Sequence, residues 1–234
     1  MRVNENTAIA SSRVTLVPYE ARHVEKYHRW MSDPDIQEAT ASEPMTLQEE
    51  YENQASWRSS HDKLTFIICE PLTTNAETVS AGDVDAEERM IGDVNFFLYP
   101  YNNDEDEVVT RNEYVGEIDV MVADAGHRGK GVGFGAVTAL MEYVHRNVDM
   151  ILAEFSAGGD QAEEGKPVLR GLMAKINESN EKSVALFKRV GFVQKGSVNY
   201  FGELEMVLDG FSQAMEGGKL AWRGEAYREV RYER

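Results

Sequence analysis

The stretch Gly116–Val144 reads GEIDVMVADAGHRGKGVGFGAVTALMEYV, and the fold follows from it. Ile118, Val120 and Val122 alternate with Glu117, Asp119 and Met121, the period of a half-buried strand. A short loop carries Arg128-Gly129-Lys130-Gly131-Val132-Gly133. Beyond it Val132, Ala136, Val137, Leu140, Tyr143 and Val144 recur near helical spacing. Strand, glycine-rich cationic loop and helix start together suit a diphosphate. Small residues let the backbone come close, unpaired N–H groups of the first turn point outward, and the helix dipole favours an anion. Arg128 and Lys130 add charge.

Nucleotide templates compete for this stretch. The P-loop pattern fails, because no Gly-Lys-Ser/Thr stands at the required spacing. Gly131-Val132-Gly133-Phe134-Gly135-Ala136 is a literal G-x-G-x-x-A, and Glu154 lies about 20 residues further on, as a dinucleotide site requires. Dinucleotide loops follow their strand at once, however, and here Ala123–Arg128 intervenes. A dinucleotide-binding oxidoreductase therefore stands as the lesser alternative.

The chain has 234 residues, enough for one large domain or two small ones. No repeat or clear linker divides it, so it reads as one domain over 1–209 and a charged tail over 210–234, helical or disordered. The formal net charge of −17 argues against non-specific binding to nucleic acid or to an anionic membrane. A basic acceptor segment would be attracted instead. Cys69 is the single cysteine, which excludes a disulfide framework and a cysteine-based zinc site. No metal is expected. The N-terminus lacks an apolar signal core, and no run approaches the roughly 20 residues of a membrane span. A cytoplasmic or nucleocytoplasmic protein is the expectation.

Arg13–Pro18 predicts a first strand and Ala21–Met31 a helix that Asp33-Pro34 ends. His23 and His28 stand five apart, the wrong spacing for a metal pair on one helix face. Thr46-Leu47-Gln48-Glu49 is a capping box opening a helix to about Trp57, with Leu47, Tyr51 and Ala55 in register. Leu64–Cys69 and Ile91–Tyr99 predict strands. Thr73–Arg89 and the acidic Asn102–Asn112 predict loops. After the organising helix, Met150–Phe155 predicts a strand and Ser156–Gly165 an inserted loop. Leu172–Ile176 is preferred as partner of the organising strand. Asn180 predicts the N-cap of a helix to Val190, stopped by Gly191 with Phe192 folded back. Val193–Tyr200 and Glu203–Leu208 alternate like an antiparallel pair.

Two separated motifs resemble one superfamily. Arg128-x-x-Gly131-x-Gly133 is similar to the Arg/Gln-x-x-Gly-x-Gly/Ala signature of the GNAT acetyltransferases. Asn180-x-x-Ser183-x-x-Leu186-Phe187-x-x-x-Gly191-Phe192 resembles the Asn-x-x-Ser…Gly-Phe helix of the same fold, especially its RimJ/RimL-like branch. Leu16-Val17-Pro18-Tyr19, Tyr27-His28-x-Trp30-Met31, Thr40–Leu47, Gln48–Tyr51, Gly92-Asp93-Val94-Asn95 and Gly116–Ala123 look like the N-acetyltransferase 9 family. The resemblance spans about residues 1–209.

That resemblance implies a mixed α/β fold, the GNAT acyl-CoA N-acyltransferase fold, with a central, mostly antiparallel sheet flanked by helices. Acetyl-CoA is the implied cosubstrate. Its pantetheine arm is expected along the backbones of Val120, Met121 and Val122, between two parallel strands that splay apart. Arg128, Gly129, Lys130, Gly131, Val132 and Gly133 are expected to hold the pyrophosphate. Asn177 and Asn180 are expected beside the pantetheine amides, with Ser183 close by. Acetyl transfer needs an amine stripped of its proton, a stabilised carbonyl oxygen and a protonated thiol. Glu117 is the first choice of base and Asp119 the second. Phe187 stands where many superfamily members place a tyrosine as general acid, so Ser183, water or Tyr200 would serve instead. The implied acceptor is the N-terminal α-amine of a protein or peptide. Tubulin is the acceptor with which the family name is associated, although its acidic tails would be repelled by this surface. Phe187 also leaves open a catalytically weak GNAT-fold interaction module.

Overall fold

The computed structural model describes residues 1–101, 112–158, 165–218, 220, 222 and 226–234. In chain order the strands are β1 (Thr7–Ser11), β2 (Thr15–Pro18), β3 (Lys63–Cys69), β4 (Thr78–Ser80), β5 (Met90–Pro100), β6 (Glu113–Val122), β7 (Val168–Asn177), β8 (Val193–Lys195), β9 (Glu203–Asp209) and β10 (Tyr227–Glu233). The helices are α1 (Val24–Met31), α2 (Pro34–Thr40), α3 (Leu47–Ser59), α4 (Val132–Ala157), α5 (Glu181–Val190) and α6 (Phe211–Glu216).

These strands form one sheet in the order β4-β10-β1-β2-β3-β5-β6-β7-β9-β8. Its pairings are antiparallel except β6 with β7 and β10 with β4. The expected mixed, mostly antiparallel sheet flanked by helices is therefore present. Alternation in β5 and β6 sends Val94, Phe96 and Ile118 to the face covered by α4, where they join Val137, Leu140 and Tyr143 in the larger core. A second core forms on the other face from Val17, Tyr19, Tyr27, Met31 and Ile67. Each fully buried large apolar side chain contributes ~1.5–3 kcal/mol.

Several elements depart from the sequence expectation, each for a physical reason. Met150–Phe155 is not a strand, because α4 runs on to Ala157. Ile151 and Leu152 keep the helical register of the buried face, and Phe155 meets Tyr114 edge-on at 4.9 Å. A strand, β1, precedes the expected first one and pairs with it. Asp33-Pro34 closes α1 but also opens α2, with Pro34 at its first position and Asp33 Oδ1 accepting from Asp35 N at 2.9 Å. The Thr46–Glu49 capping box is present, yet α3 buries Glu50 and Gln54 rather than the Leu47 face. Leu47 is exposed because the helix lies at the surface with its polar side against α1 and β3. The expected loop over 73–89 contains β4. Residues 102–111 and 159–164 of the two remaining expected loops lie outside the described residues. β8 stops at Lys195, short of the expected Tyr200.

The tail contributes a helix, α6, and then β10, which enters the sheet between β4 and β1. Trp222 and Leu220 are buried, and Trp222 Nε1 donates to Val190 O at 2.8 Å. Among the described residues no helix is long and apolar enough to cross a membrane.

Candidate active site

β6 and β7 run parallel and pair from Glu113 with Val168 as far as Glu117 with Met173. Beyond that point the two strands part. β6 continues to Val122 on its pairing with β5, and β7 continues to Asn177 on its pairing with β9. The inner edge of Ile118–Val122 is left without a ladder partner. A cavity of about 670 Å³ passes through this gap. Ile118, Val120 and Ile176 line it, and so do Glu117, Asp119, Met121 and Lys175. Asn177, Asn180, Ser183 and Phe187 line it as well. The strand backbones and the catalytic candidates Glu117, Asp119 and Ser183 are thus gathered at one place.

Tyr200 is not among them. It stands on the β8–β9 connection, 97% exposed, and its neighbour Phe201 is the aromatic that reaches the cavity. Phe187 is buried and packs edge-on against Phe192 at 5.1 Å. Asn180 caps α5 by accepting from Ser183 N at 3.1 Å. Asn177 Oδ1 accepts from Ser179 N at 3.0 Å and from Ser179 Oγ at 2.7 Å. Both asparagines therefore fix the turn beside the cavity that they border.

The loop before α4 lies just past the end of β6. Gly131 is the N-cap residue in the left-handed region, φ +82°, and no side chain caps the helix. The N–H groups of the first turn consequently have no intrahelical partner. A Cβ on Gly133 would stand 2.9 Å from Leu186 Cδ1 of α5, so a side chain there would make the tip of Leu186 turn aside. Lys130 is exposed. Arg128 is turned back, donating from Nε to Val122 O at 2.8 Å and from Nη2 to Ala123 O at 3.1 Å. Its charge stays beside the loop while its hydrogen bonds lock the loop to the strand end. Two cations that the sequence reading missed stand nearby. Arg13 and Arg189 lie over the Phe134 ring at 5.7 and 4.2 Å from its centroid.

The cavity floor is acidic. Asp93, Asn95 and Phe97 of β5 stand opposite Met121, Asp119 and Glu117 of β6. Directly opposed residues share a face, so these six make one surface on the side away from α4. Lys175 Nζ donates to Glu117 Oε2 at 3.1 Å. Burial works against the Lys175 charge, but Glu117 and Tyr99 more than compensate, and its pKa is raised. Asp119 has no hydrogen-bond or ion-pair partner among the described residues. Solvent reaches it through the cavity, yet the walls desolvate it. That desolvation, then the charges of Glu117 and Asp93, hold its carboxyl up at about 7. Asp93 is buried and also held at about 7 by burial, against the opposing bonds from Asn95 Nδ2 at 2.7 Å and Tyr27 Oη at 3.5 Å. Asp93, Asn95 and Lys175 were not read from the sequence as site residues. The available signal was two polar side chains at strand spacing inside the apolar run of β5.

An acetyltransferase (GNAT) domain model matches residues 13–193. The chain belongs to the GNAT acetyltransferases. It falls with the N-acetyltransferase 9 proteins of that family. It is 39% identical over 206 residues to the alpha/beta-tubulin-N-acetyltransferase 9 of Drosophila melanogaster, covering 88% of each chain. It is 38% identical over 211 residues to an N-acetyltransferase 9-like protein of Caenorhabditis briggsae, covering 90% of this chain and 89% of that one. Among solved structures, AAC(6')-Ib in complex with acetyl-CoA matches with a TM-score of 0.60 at 20% identity, over 92% of this chain and 100% of that one. RimL, a ribosomal L7/L12 alpha-N-protein acetyltransferase, matches with a TM-score of 0.55 at 14% identity, over 86% and 92%. The chain is an N-acetyltransferase of the GNAT type.

As a GNAT enzyme it is not a dinucleotide oxidoreductase. Glu154, the acid that reading needed near the loop, lies 22 positions after Val132 on the same helix, ~33 Å along its axis. There its carboxylate accepts from Arg2 N at 2.6 Å and Val3 N at 2.9 Å instead.

Proposed function

We propose that this GNAT enzyme transfers an acetyl group from acetyl-CoA to the N-terminal α-amine of a protein. The observation that carries the reading is the cavity through the β6–β7 gap, with unpaired strand edge on one side and a carboxylate floor on the other. The residues present fit acetyl-CoA. The unpaired edge at Val120–Val122 suits the amides of a pantetheine arm, which can add to a strand edge. The uncapped α4 N-terminus at Gly131–Gly133, with Gly129 and Lys130 before it and Arg128 beside it, suits a pyrophosphate. Acetyl-CoA, when bound, supplies the activated acyl group.

The chain's own residues supply the proton chemistry. An α-amine has a pKa near 8, so a base poised near neutrality is matched to it. Asp119 meets that description and is otherwise unengaged, whereas Glu117 is engaged by Lys175. We therefore assign Asp119 as the base, direct or through water, and Glu117 as the charge beside it that keeps Asp119 partly protonated. Ser183 borders the cavity, and we assign its hydroxyl, directly or through water, to protonate the departing thiolate in the absence of a tyrosine at Phe187.

The named relatives make the tubulin N-termini natural acceptors to try. The test is mass spectrometry on a peptide library, including tubulin N-terminal sequences, incubated with enzyme and acetyl-CoA. Acetylation confined to free α-amines is expected. Modification of lysine side chains alone would overturn the α-amine assignment, and no stabilisation by saturating CoA would overturn the cofactor assignment.

A further inference from the structure

Among the described residues, six buried side-chain polar atoms have no hydrogen-bond partner: Thr15 Oγ1, Tyr19 Oη, His28 Nδ1, Thr65 Oγ1, Asp93 Oδ1 and Asn95 Oδ1. The hydroxyls can turn to find a partner. Asn95 Oδ1 cannot, because an amide oxygen only accepts, and neither can Asp93 Oδ1 once its carboxyl is ionised. Of the six residues, only these two border the cavity. A buried acceptor without a donor is costly, and native proteins rarely leave two side by side without a use.

The remaining atoms of the pair are committed. Asn95 Nδ2 donates to Asp93 Oδ2 at 2.7 Å, which fixes the amide orientation and turns the oxygen away from its own donor. Tyr27 Oη approaches the same Asp93 oxygen from α1 at 3.5 Å. Asn95 is opposite Asp119, and Asp93 is opposite Met121, within the segment of β6 that borders the gap. The two residues thus share the sheet face of the assigned base and stand one strand further from the splay than Asp119. Their surroundings are anionic, with Glu117 and Asp119 on β6, Glu38 on α2 and Glu203 on β9 also facing the cavity. Lys175 is the cation on this lining and is already paired with Glu117.

We infer that Asp93 and Asn95 form the subsite that receives the acceptor as a charged primary ammonium, before Asp119 removes its proton. This rests on the reading of the enzyme as an amine acetyltransferase and adds where the amine docks and in which protonation state. An –NH3⁺ group brings three donors and no acceptor, the complement of two orphan oxygens and a nearby carboxylate. Asp93 and Asn95 both line the cavity, and docking requires their side chains to turn so that these buried oxygens meet it. Burial, which holds Asp93 near neutrality in the empty site, is offset when the cation arrives.

The test compares trialanine amide bearing a free α-ammonium with its Nα-acetylated form, each titrated calorimetrically into enzyme saturated with CoA. Wild type is expected to bind the ammonium form at least about tenfold more tightly. Asp93→Asn and Asn95→Leu are expected to bring the two forms within about twofold. They should raise the acceptor KM by about tenfold or more, and leave the acetyl-CoA KM and the CoA-induced rise in Tm unchanged. Asp93→Asn should also raise Tm at pH 8, a gain that a merely structural role for the carboxylate would not give. If Asp93→Asn keeps the discrimination, or wild type binds the capped peptide equally well, the subsite is overturned. Ammonium discrimination without acetylation of any peptide would keep the subsite and remove the α-amine reading. Acetylation with an unchanged acceptor KM in both variants would do the reverse. Should one variant fail to fold, shown by a lost CoA response, the other decides.

Discussion

Glu117 and Asp119 are two residues apart on one strand face, yet their neighbours give them different work. Lys175 pairs with the first, while the second has no such partner among the described residues and is held near 7. Asp119→Asn should lower kcat/KM by about 10²-fold or more, with CoA binding intact. In the wild type kcat/KM should rise with pH through about 7 as Asp119 and Asp93 lose their protons, and this limb should become shallower in the variant, where only Asp93 remains. Ser183→Ala should cost less, since water can replace a hydroxyl as proton donor. Asp93 carries the opposite signature. Its folded pKa, about 7, lies above its ordinary 3.8, so its contribution to stability is full below about pH 4 and is lost as pH rises through 7. Asp93→Asn should therefore raise Tm at pH 8 by an amount equivalent to a few kcal/mol, and the gain should disappear by pH 4 in a calorimetric series. Alternation along β6 was enough to put Glu117 and Asp119 on one face. It could not choose between them, because the choice depends on Lys175, 58 positions away. Asp93 and Asn95 were equally hidden in function, since their meaning comes from the β5–β6 register.

The elements around the cofactor loop were legible because each carries its own local chemistry. Gly131 as N-cap, Asn180 as N-cap and Gly191 as C-cap at φ +119° are short-range requirements. Gly133 adds a tertiary one, the 2.9 Å approach of Leu186 to where its Cβ would be. Gly133→Val should crowd the Leu186 side chain and the first turn of α4 and weaken CoA binding, measured as a smaller CoA-induced Tm rise, while the secondary structure seen by circular dichroism is kept. Where length rather than chemistry decides, local reading failed. Nothing between Val144 and Met150 marks whether α4 ends, and only packing of Ile151, Leu152 and Phe155 under β6 shows that it does not. β4 was missed because it is a short edge strand whose partner, β10, lies more than 140 positions away in the chain, and β1 because its five residues carry little pattern of their own. The parallel pairing of β6 with β7 was implied by the family resemblance, and it agrees with the rule for strand–helix–strand units.

At the scale of the molecule, the charged tail is part of the sheet. β10 fills the place between β4 and β1, and it also anchors a buried polar cluster. Asp85 Oδ2 accepts from Tyr232 Oη at 2.5 Å and from His23 Nε2 at 2.7 Å, while Gly82 N donates to Asp85 Oδ1 at 2.6 Å. Burial opposes the Asp85 charge, but the bonds from His23 and Tyr232 win and draw its pKa down to about 2. A lowered carboxylate pKa stabilises the fold above the ordinary 3.8 and ceases to do so as pH falls through about 2, a contribution of about 2 kcal/mol. Tyr232→Phe removes one donor from an ionised, buried oxygen. It should cost about 1–2 kcal/mol in denaturant melts at pH 7 and less at pH 2.5, where Asp85 is already mostly neutral in the unfolded chain. Ending the chain at Asp209 removes far more. Phe211, Met215, Leu220, Trp222, Val230 and Tyr232 leave the core together, and β1 loses its outer partner. The Tm of that truncated chain should fall by more than about 10 °C, or the chain should not fold at all. A melt within 2–3 °C of the full chain would mean that the sheet closes without β10.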